Sequence, residues 1–441
     1  MRTVDIIQKK RDGQPLTEEE IKYFIETYTH DDLPDYQAAA LLMAIFWRGM
    51  NRQETVTLTQ AMAHSGKMMD LSGVIDYAVD KHSSGGVGDK TTLVVLPLVA
   101  AMGVPVAKMS GRGLGFSGGT LDKLESISGY DVNLSDQQFL ELAAKNGIVL
   151  SGQTGELAPA DGKLYALRDV TATVPSMPLI ASSIMSKKLA SGANGMVLDV
   201  KWGNGAFMTT LDDAQQLADI MVKIGADAGR DVIALLSDMN QPLGQAVGNA
   251  LEVIEAIETL KGGGPADFRE HCLEVAHYMV QLAGQGEKWT DADAVRSELE
   301  EHLNNGEALE KFRLMVEAQG GDLAQIDDPS KLPSAKLRED VLATESGYIE
   351  KVVALQVAYA ANALGAGREK KGDPVDHAVG VMVYVNVGDK VAEGDRLFTI
   401  HANSEAQLAE AKAHLAEAIS YASAPVEPLP LFYGVIDSRV L

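Results

Sequence analysis

The spacing of apolar residues changes character three times along the chain. Over residues 1–65 it is helical. Thr17, followed by Glu18, Glu19 and Glu20, supplies an N-cap and an acidic first turn. Ile21, Phe24, Ile25 and Tyr28 then recur at three- and four-residue steps. A further helix is predicted after Pro34, over residues 36–46, with Ala and Leu on most faces as helix-on-helix burial requires. Met62, Met68 and Met69 read as core filler.

From residue 76 short apolar strands alternate with helical segments. Tyr77–Val79, Val104–Ala107, Gly147–Leu150, Met196–Val200 and Asp231–Leu236 are the predicted strands. That alternation implies a mostly parallel sheet with ligand loops at the strand ends. Residues 265–340 are charged and helical, notably Asp293–His302 and Ala308–Ala318, with breaks at Gly306 and Gly320-Gly321. They read as peripheral scaffold. After Pro333 and a helix near 350–364, Val379–Ile400 alternates valines with Gly-Asp turns, which predicts antiparallel hairpins. The turn spacing is similar to that of lipoyl or biotinyl carrier barrels, but no hairpin Lys stands where one is modified, so this is a structural module. The expected fold class is α/β: a small all-α domain, a large α/β domain with a mostly parallel central sheet, and an antiparallel C-terminal β module.

Composition narrows the function. In 441 residues, 38 Lys and Arg face 62 Asp and Glu, a formal net charge of −24. Such a field repels nucleic acid and anionic lipid, so neither is an expected partner. No apolar stretch reaches the length of a membrane span, and Met1–Arg11 lacks the apolar core of a secretory signal. The single Cys272 excludes an intramolecular disulfide and suits a reducing compartment, so a cytoplasmic enzyme is expected.

Two glycine loops carry the candidate chemistry. The first is Lys81-His-Ser-Ser-Gly-Gly-Val-Gly-Asp-Lys-Thr-Thr92, followed at once by the apolar run Leu93–Met102. Glycines at 85, 86 and 88 let a ligand approach backbone N–H groups, and a helix over the apolar run turns its positive end toward it. Lys81 and hydroxyls at 83, 84, 91 and 92 complete an anion cradle. It is not a Walker loop, because Asp89 separates Gly88 from Lys90. The second loop, Lys108–Glu125, contains a GxGxxG match over Gly113–Gly118. A nicotinamide enzyme is not expected, since only Gly129-Tyr-Asp131 stands where its second strand and acid belong. Lys108, Ser110 and Thr120 instead form a second wall of the anion site. Further on, a helix over 180–190 puts Ser183 and Lys187 on one face. With Arg168 they can grip a polar planar ring; the plainer alternative is a surface Lys and a capping Ser.

Four blocks carry a family resemblance: Lys81–Asp89, Ser110–Glu125, Gln153-Thr-Gly-Glu-Leu-Ala-Pro-Ala-Asp161 and Asp199-Val-Lys-Trp-Gly-Asn-Gly-Ala-Phe207. In order and spacing the chain resembles the thymidine and pyrimidine-nucleoside phosphorylases from about residue 3 to the C-terminus. The resemblance implies an α-domain of residues 1–65 and 163–193, which binds the base and dimerises. It implies an α/β phosphate-binding domain of 70–162 and 194–335, with a C-terminal α+β module, 336–441, packed on it. The implied reaction is reversible phosphorolysis of uridine, deoxyuridine and thymidine to the free base and (deoxy)ribose 1-phosphate. Phosphate is the co-substrate and no organic cofactor is needed. Lys81, Ser83, Thr92, Lys108, Ser110 and Thr120 would hold phosphate. Arg168, Ser183 and Lys187 would hold the base, with His82 near the ring; His82, Arg168 and Lys187 are the implied catalytic set. A potassium ion would bind near Gly88 and Lys90 through backbone oxygens, and near Leu243, Ala246 and the Glu255 carboxylate. A homodimer is implied. Lys108 favours the type that accepts uridine, whereas Met there accompanies restriction to 2′-deoxynucleosides. Lys90 departs from a small residue, Phe116-Ser117 from His-Thr, and Trp202-Gly-Asn204 from Val-Gly-Ser, the last two near the cleft. The rival classes are a thymidine-restricted phosphorylase, an anthranilate-type phosphoribosyltransferase of similar fold, and a non-catalytic carrier or regulatory protein.

Overall fold

Four helices open the chain, as the apolar spacing predicts: α1 (Thr3–Arg11), α2 (Glu18–Thr29), α3 (Asp35–Arg48) and α4 (Arg52–Ala63). Their starts follow from local chemistry. The Thr17 hydroxyl accepts from the Glu20 amide while the Glu20 carboxylate accepts from the Thr17 amide at 2.7 Å. Asn51 and Glu54 repeat this device at α4. Glu54 is buried and also accepts from Lys10 Nζ at 2.7 Å and the Leu16 amide at 2.8 Å, which ties α1 to α4. The structure, a computed structural model, describes residues 1–113, 118–368 and 373–440; Phe116-Ser117 and the middle of the GxGxxG match lie outside them.

The central part runs β1 (Val79–Ser83), α5 (Thr91–Ala101), β2 (Val106–Ser110), α6 (Thr120–Leu124), α7 (Asp136–Asn146), β3 (Ile148–Gly152), α8 (Pro159–Val170), α9 (Met177–Ala190), β4 (Gly195–Trp202), α10 (Leu211–Asp227) and β5 (Asp231–Asp238). After β6 (Ala246–Val247) come α11 (Asn249–Leu260), α12 (Ala266–Ala283), α13 (Ala292–Asn304), α14 (Glu307–Ala318) and α15 (Leu323–Asp327). The C-terminal part contains β7 (Leu337–Leu342), β8 (Gly347–Val352), α16 (Ala354–Ala363), β9 (Gly380–Val383), β10 (Lys390–Val391), β11 (Arg396–Ala402), α17 (Glu405–Ala416), β12 (Ile419–Ala422) and β13 (Phe432–Asp437).

Strands β1–β5 are parallel, in a sheet ordered β13-β5-β4-β1-β2-β3. Their C-terminal ends therefore lie along one edge, where an open α/β sheet presents its ligand loops. The predicted strands fall in the right places but β1 starts later: Val79 through Ser83 form the strand, so Lys81 and His82 are strand residues. Burial on both sheet faces explains why these strands read as short apolar runs. One apolar cluster joins the sheet to α5, α11, α12 and α14, and a second joins it to α9 and α10. A third, built on Ile21, Phe24, Ile25 and Tyr28, packs the helical bundle and includes Leu164 of α8 and Leu179 of α9.

Two expectations change. The charged helices of residues 265–340 are no periphery, because Phe268, Cys272, Leu299, Phe312 and Val316 are fully buried in the first cluster. Their charge lies on one face, and the opposite face packs against α5. The C-terminal module is also not closed on itself. Strand β13 leaves it to pair antiparallel with β5, while β6 leaves the α/β part to pair with β9. Within Val379–Ile400, β9 pairs with β11 as expected, but β10 pairs with β8 in a separate three-stranded sheet.

Candidate active site

The carboxyl edge of the sheet collects the cradle residues. Lys81, His82 and Ser83 end β1, Lys108 and Ser110 end β2, Asp199 and Lys201 end β4, and Thr92 sits in the first turn of α5. The register set at Val79 and Val106 puts position 81 opposite 108 and 83 opposite 110. Thr120 starts α6.

Charge in this edge is dense and mostly buried. Lys81 Nζ lies 3.7 Å from Asp89 and 3.9 Å from Asp199, ion-pair distances too long for hydrogen bonds. Asp199 itself accepts from His271 Nε2 at 2.8 Å and from the Ser237 hydroxyl at 2.5 Å, and pairs with Lys201 at 3.0 Å. Burial opposes its ionisation, but Lys201, His271 and Lys81 hold its carboxyl far below the usual range. Burial lowers the His271 pKa despite Asp199, so this imidazole stays neutral. A second cluster centres on Asp80, which Lys188 Nζ reaches at 2.7 Å and Lys108 Nζ at 3.1 Å. Burial again opposes, yet Lys108 and Lys188 hold Asp80 down to about 2. Lys108 is pushed down to about 7 by its own burial, against the pull of Asp80. Four ammonium groups thus face three carboxylates, and a dianion entering here meets the least satisfied cation, Lys81.

Lys108 is oriented away from the role expected of it. Its ammonium donates to Asp80 and to the Lys81 carbonyl, and it is 4% exposed. His82 is half-buried, and burial together with Lys188 and Lys108 pushes its pKa well below the usual value. A neutral imidazole can still offer an N–H hydrogen bond to a neighbouring group.

Helices α8 and α9 hold the other group. Lys187 donates to the Ser183 hydroxyl at 3.1 Å, as the four-residue spacing predicts, and pairs with Asp161. Arg168 is 2% exposed and donates to the carbonyls of Val174 at 2.7 Å, Leu179 at 3.1 Å and Thr173 at 3.4 Å. Three of its five N–H donors are thereby spent on the turn between the two helices and the first turn of α9. Lys188, next to Lys187, crosses to Asp80 and donates to the Met109 carbonyl at 3.3 Å, so one helix turn links the two groups.

Several of these residues escaped the sequence reading. Asp80, Asp161, Lys188 and His271 have their partners far away in the chain, and Lys201 has its partner Asp199 on its own strand. A signal existed for some: Asp199 and Lys201 are two apart on β4 and share a face, and His271 lies in the apolar stripe of Phe268, Cys272 and Val275. Trp202-Gly-Asn204, expected near the cleft, follows Lys201 at the carboxyl end of β4 and also serves as a joint. The Trp202 ring meets Tyr433 of β13 edge-on at 4.9 Å, and Asn204 donates to the Asn240 carbonyl at 2.7 Å and accepts from the Leu355 amide at 3.1 Å.

Gly88, Lys90, Leu243, Ala246 and Glu255 do converge, but not as ligands of a free ion. Nζ of Lys90 donates to the carbonyls of Leu243 at 2.6 Å and Ala246 at 3.3 Å and pairs with Glu255. These residues do not fit a potassium ion beside that ammonium.

The known proteins that match supply the family. Residues 76–309 match the glycosyl transferase family, a/b domain, and residues 4–66 its helical bundle domain. Residues 348–422 match the pyrimidine nucleoside phosphorylase C-terminal domain. A pyrimidine-nucleoside phosphorylase of Geobacillus stearothermophilus is 56% identical over 437 residues, 99% of this chain and all of that protein. The chain belongs to the pyrimidine-nucleoside phosphorylase family. A relative of the same name from Staphylococcus epidermidis is 54% identical over 92% of this chain and 93% of its own length. Among solved structures, anthranilate phosphoribosyltransferase from Thermus thermophilus superposes with a TM-score of 0.57 at 19% identity, over 71% of this chain and 98% of that one. That likeness is one of fold.

Proposed function

We propose that the site performs reversible phosphorolysis of uridine, deoxyuridine and thymidine, with phosphate as co-substrate. Phosphate binds at the ends of β1 and β2, held by Lys81, the hydroxyls of Ser83, Thr92, Ser110 and Thr120, and the N-terminus of α5. Lys108 acts there through the Lys81 carbonyl and Asp80 unless it swings away from them. The base lies against α8 and α9, with Ser183 and Lys187 on its polar edge and the two spare donors of Arg168 nearby. Phosphate attacks C1′ as the C–N bond breaks, and the departing pyrimidine gains negative charge at its carbonyl oxygens. Lys187 and Arg168 offset that charge, and neutral His82 donates a hydrogen bond.

The observation that carries this reading is the Asp80–Lys188 bridge, which fixes the Ser183–Lys187 helix face against the strand end bearing Lys81. A homodimer and a cytoplasmic location belong to the same proposal, as does a cleft between the helical part (1–65 and 163–193) and the α/β part (70–162 and 194–335). No helix among the described residues is long and apolar enough to cross a membrane. Uracil release from uridine, followed with and without phosphate, tests the proposal. Release only with phosphate supports it; no release from uridine, with a free base consumed only alongside a pyrophosphate-bearing sugar phosphate, would overturn it in favour of a phosphoribosyltransferase.

A further inference from the structure

Lys90 ends the glycine loop at the N-cap of α5, yet its side chain turns away from the anion cradle. Its ammonium enters a small cage of oxygens. The Leu243 and Ala246 carbonyls accept from it at 2.6 and 3.3 Å, the Glu255 carboxylate pairs with it, and the Phe268 ring centre lies 4.6 Å away. Lys90 is 1% exposed, Glu255 6% and Phe268 not at all. Glu255 is held in place in turn by the amides of Gln245 at 3.1 Å and Ala246 at 2.7 Å.

The backbone is shaped around this point. Gly244 has φ +68, and a Cβ there would stand 2.2 Å from Glu255 Oε1 and 2.7 Å from Lys90 Nζ. Gly88, at φ +70, passes so close that a Cβ would stand 2.8 Å from the Leu243 oxygen and 3.1 Å from that of Ala246. Carbonyl and carboxylate oxygens converging on one buried centre are the donor set of a hard cation. Here the centre is already filled by a cation that the chain carries on a covalent tether.

We infer that Lys90 is a built-in substitute for a monovalent metal ion. It pins the loop of residues 87–90 to the 243–255 segment, a junction that also includes the Leu243 amide donating to the Val87 carbonyl at 3.1 Å. Asp89, the neighbour of Lys90, pairs with Lys81, so the pin fixes the wall of the cradle as well. The protein therefore keeps its cradle in shape whatever the potassium concentration. A small residue at 90 would leave the oxygens open and make the same junction depend on potassium.

The test reads stability and ion binding as well as turnover. Melting temperature and phosphorolysis kinetics of the full chain are measured in potassium chloride and in N-methylglucamine chloride at equal ionic strength. Thallous ion, a potassium probe visible by nuclear magnetic resonance, is titrated into the same protein. The wild type is expected to melt and turn over alike in both salts and to show no saturable thallous site that potassium competes for. Lys90→Ser is expected to melt lower in N-methylglucamine chloride, to recover as potassium is added, and to gain such a site. A potassium-specific rise in wild-type melting temperature or activity, or a competed thallous site in the wild type, would overturn the inference. So would a folded Lys90→Ser protein indifferent to potassium. If that variant does not fold, the wild-type measurements decide alone. A wild type with no phosphorolytic activity would sink the proposed function, while the melting and thallous results still judge Lys90.

Discussion

The two ends of the candidate site are built on different principles. The end proposed for phosphate rests on strand ends of a sheet buried on both faces, and its buried polar groups answer one another across strands and α12. Lys81, Lys201 and His271 come from β1, β4 and α12 to meet Asp199. The end proposed for the base rests on two helices and the turn between them, and its charges are answered mostly nearby. Arg168 bonds carbonyls at 173, 174 and 179, and Lys187 bonds Ser183 one turn away. The strand-end network cannot move without breaking several buried ion pairs, each costly to leave half-made. The helical end can re-aim a long Lys side chain that is 26% exposed. A rigid anion seat facing an adjustable base grip suits a reaction in which phosphate is invariant and the base varies.

The largest effect that could break this comparison is at Lys81. Lys81→Ala should lower kcat/KM for phosphate by about 10²–10³-fold, the usual loss when a preorganised charge at a reacting anion is removed. Asp199 keeps His271 and Lys201, so the fold should survive; a melting curve checks this. Unchanged phosphate kinetics in a folded variant would place the anion elsewhere.

Next comes Lys187. Its replacement by Met should lower kcat/KM for the nucleoside by about 10–100-fold, the worth of a charged hydrogen bond, and leave KM for phosphate nearly as it was. Equal damage to both substrates would mean that the two ends are not separable. Asp161→Asn frees Lys187 from its partner and should shift nucleoside KM in a smaller measure.

Lys108 sharpens the contrast between phosphate and sugar. Where substrate draws the ammonium from Asp80 to the ribose 2′-hydroxyl, Lys108→Met should cost uridine more than thymidine, by about tenfold in the ratio of their kcat/KM values, because Met cannot bond that hydroxyl. A ratio that does not move would leave Lys108 as a partner of Asp80 alone.

The last effect is read in stability, as a pH limb. Asp80 titrates at about 2 in the folded protein, below the ordinary carboxylate value, so its contribution is complete above about pH 4 and is lost as pH falls through 2. The contribution is of order 2 kcal/mol. Melting temperature between about pH 4 and 2 should therefore fall more steeply for the wild type than for Asp80→Asn. Parallel slopes would remove Asp80 from the balance.

Much of this architecture was legible in the amino-acid order. Thr17 with Glu20 determines the start of α2, the period of Ile21 to Tyr28 its buried face, and the apolar run after Thr92 the fully buried helix α5. The sheet strands were also legible from short apolar runs, as burial on both faces favours, although β1, β2 and β4 carry buried Asp or Lys among the apolar residues. Glycine loops that end strands raised the expectation of an anion site, and the Ser183–Lys187 spacing told of one helix face. These are local signals, set by neighbours within a few residues.

Tertiary structure decided everything that depends on partners distant in sequence. Nothing around Phe432 announces that β13 will pair with β5, and nothing around His271 announces Asp199, 72 residues away. Lys90 is the sharpest case. By resemblance it stands with Leu243, Ala246 and Glu255 at a potassium site through its backbone, and only the fold shows its own ammonium filling that cage. The reason is physical: a buried charge takes its role from the groups that desolvate and pair with it, and the fold chooses those groups.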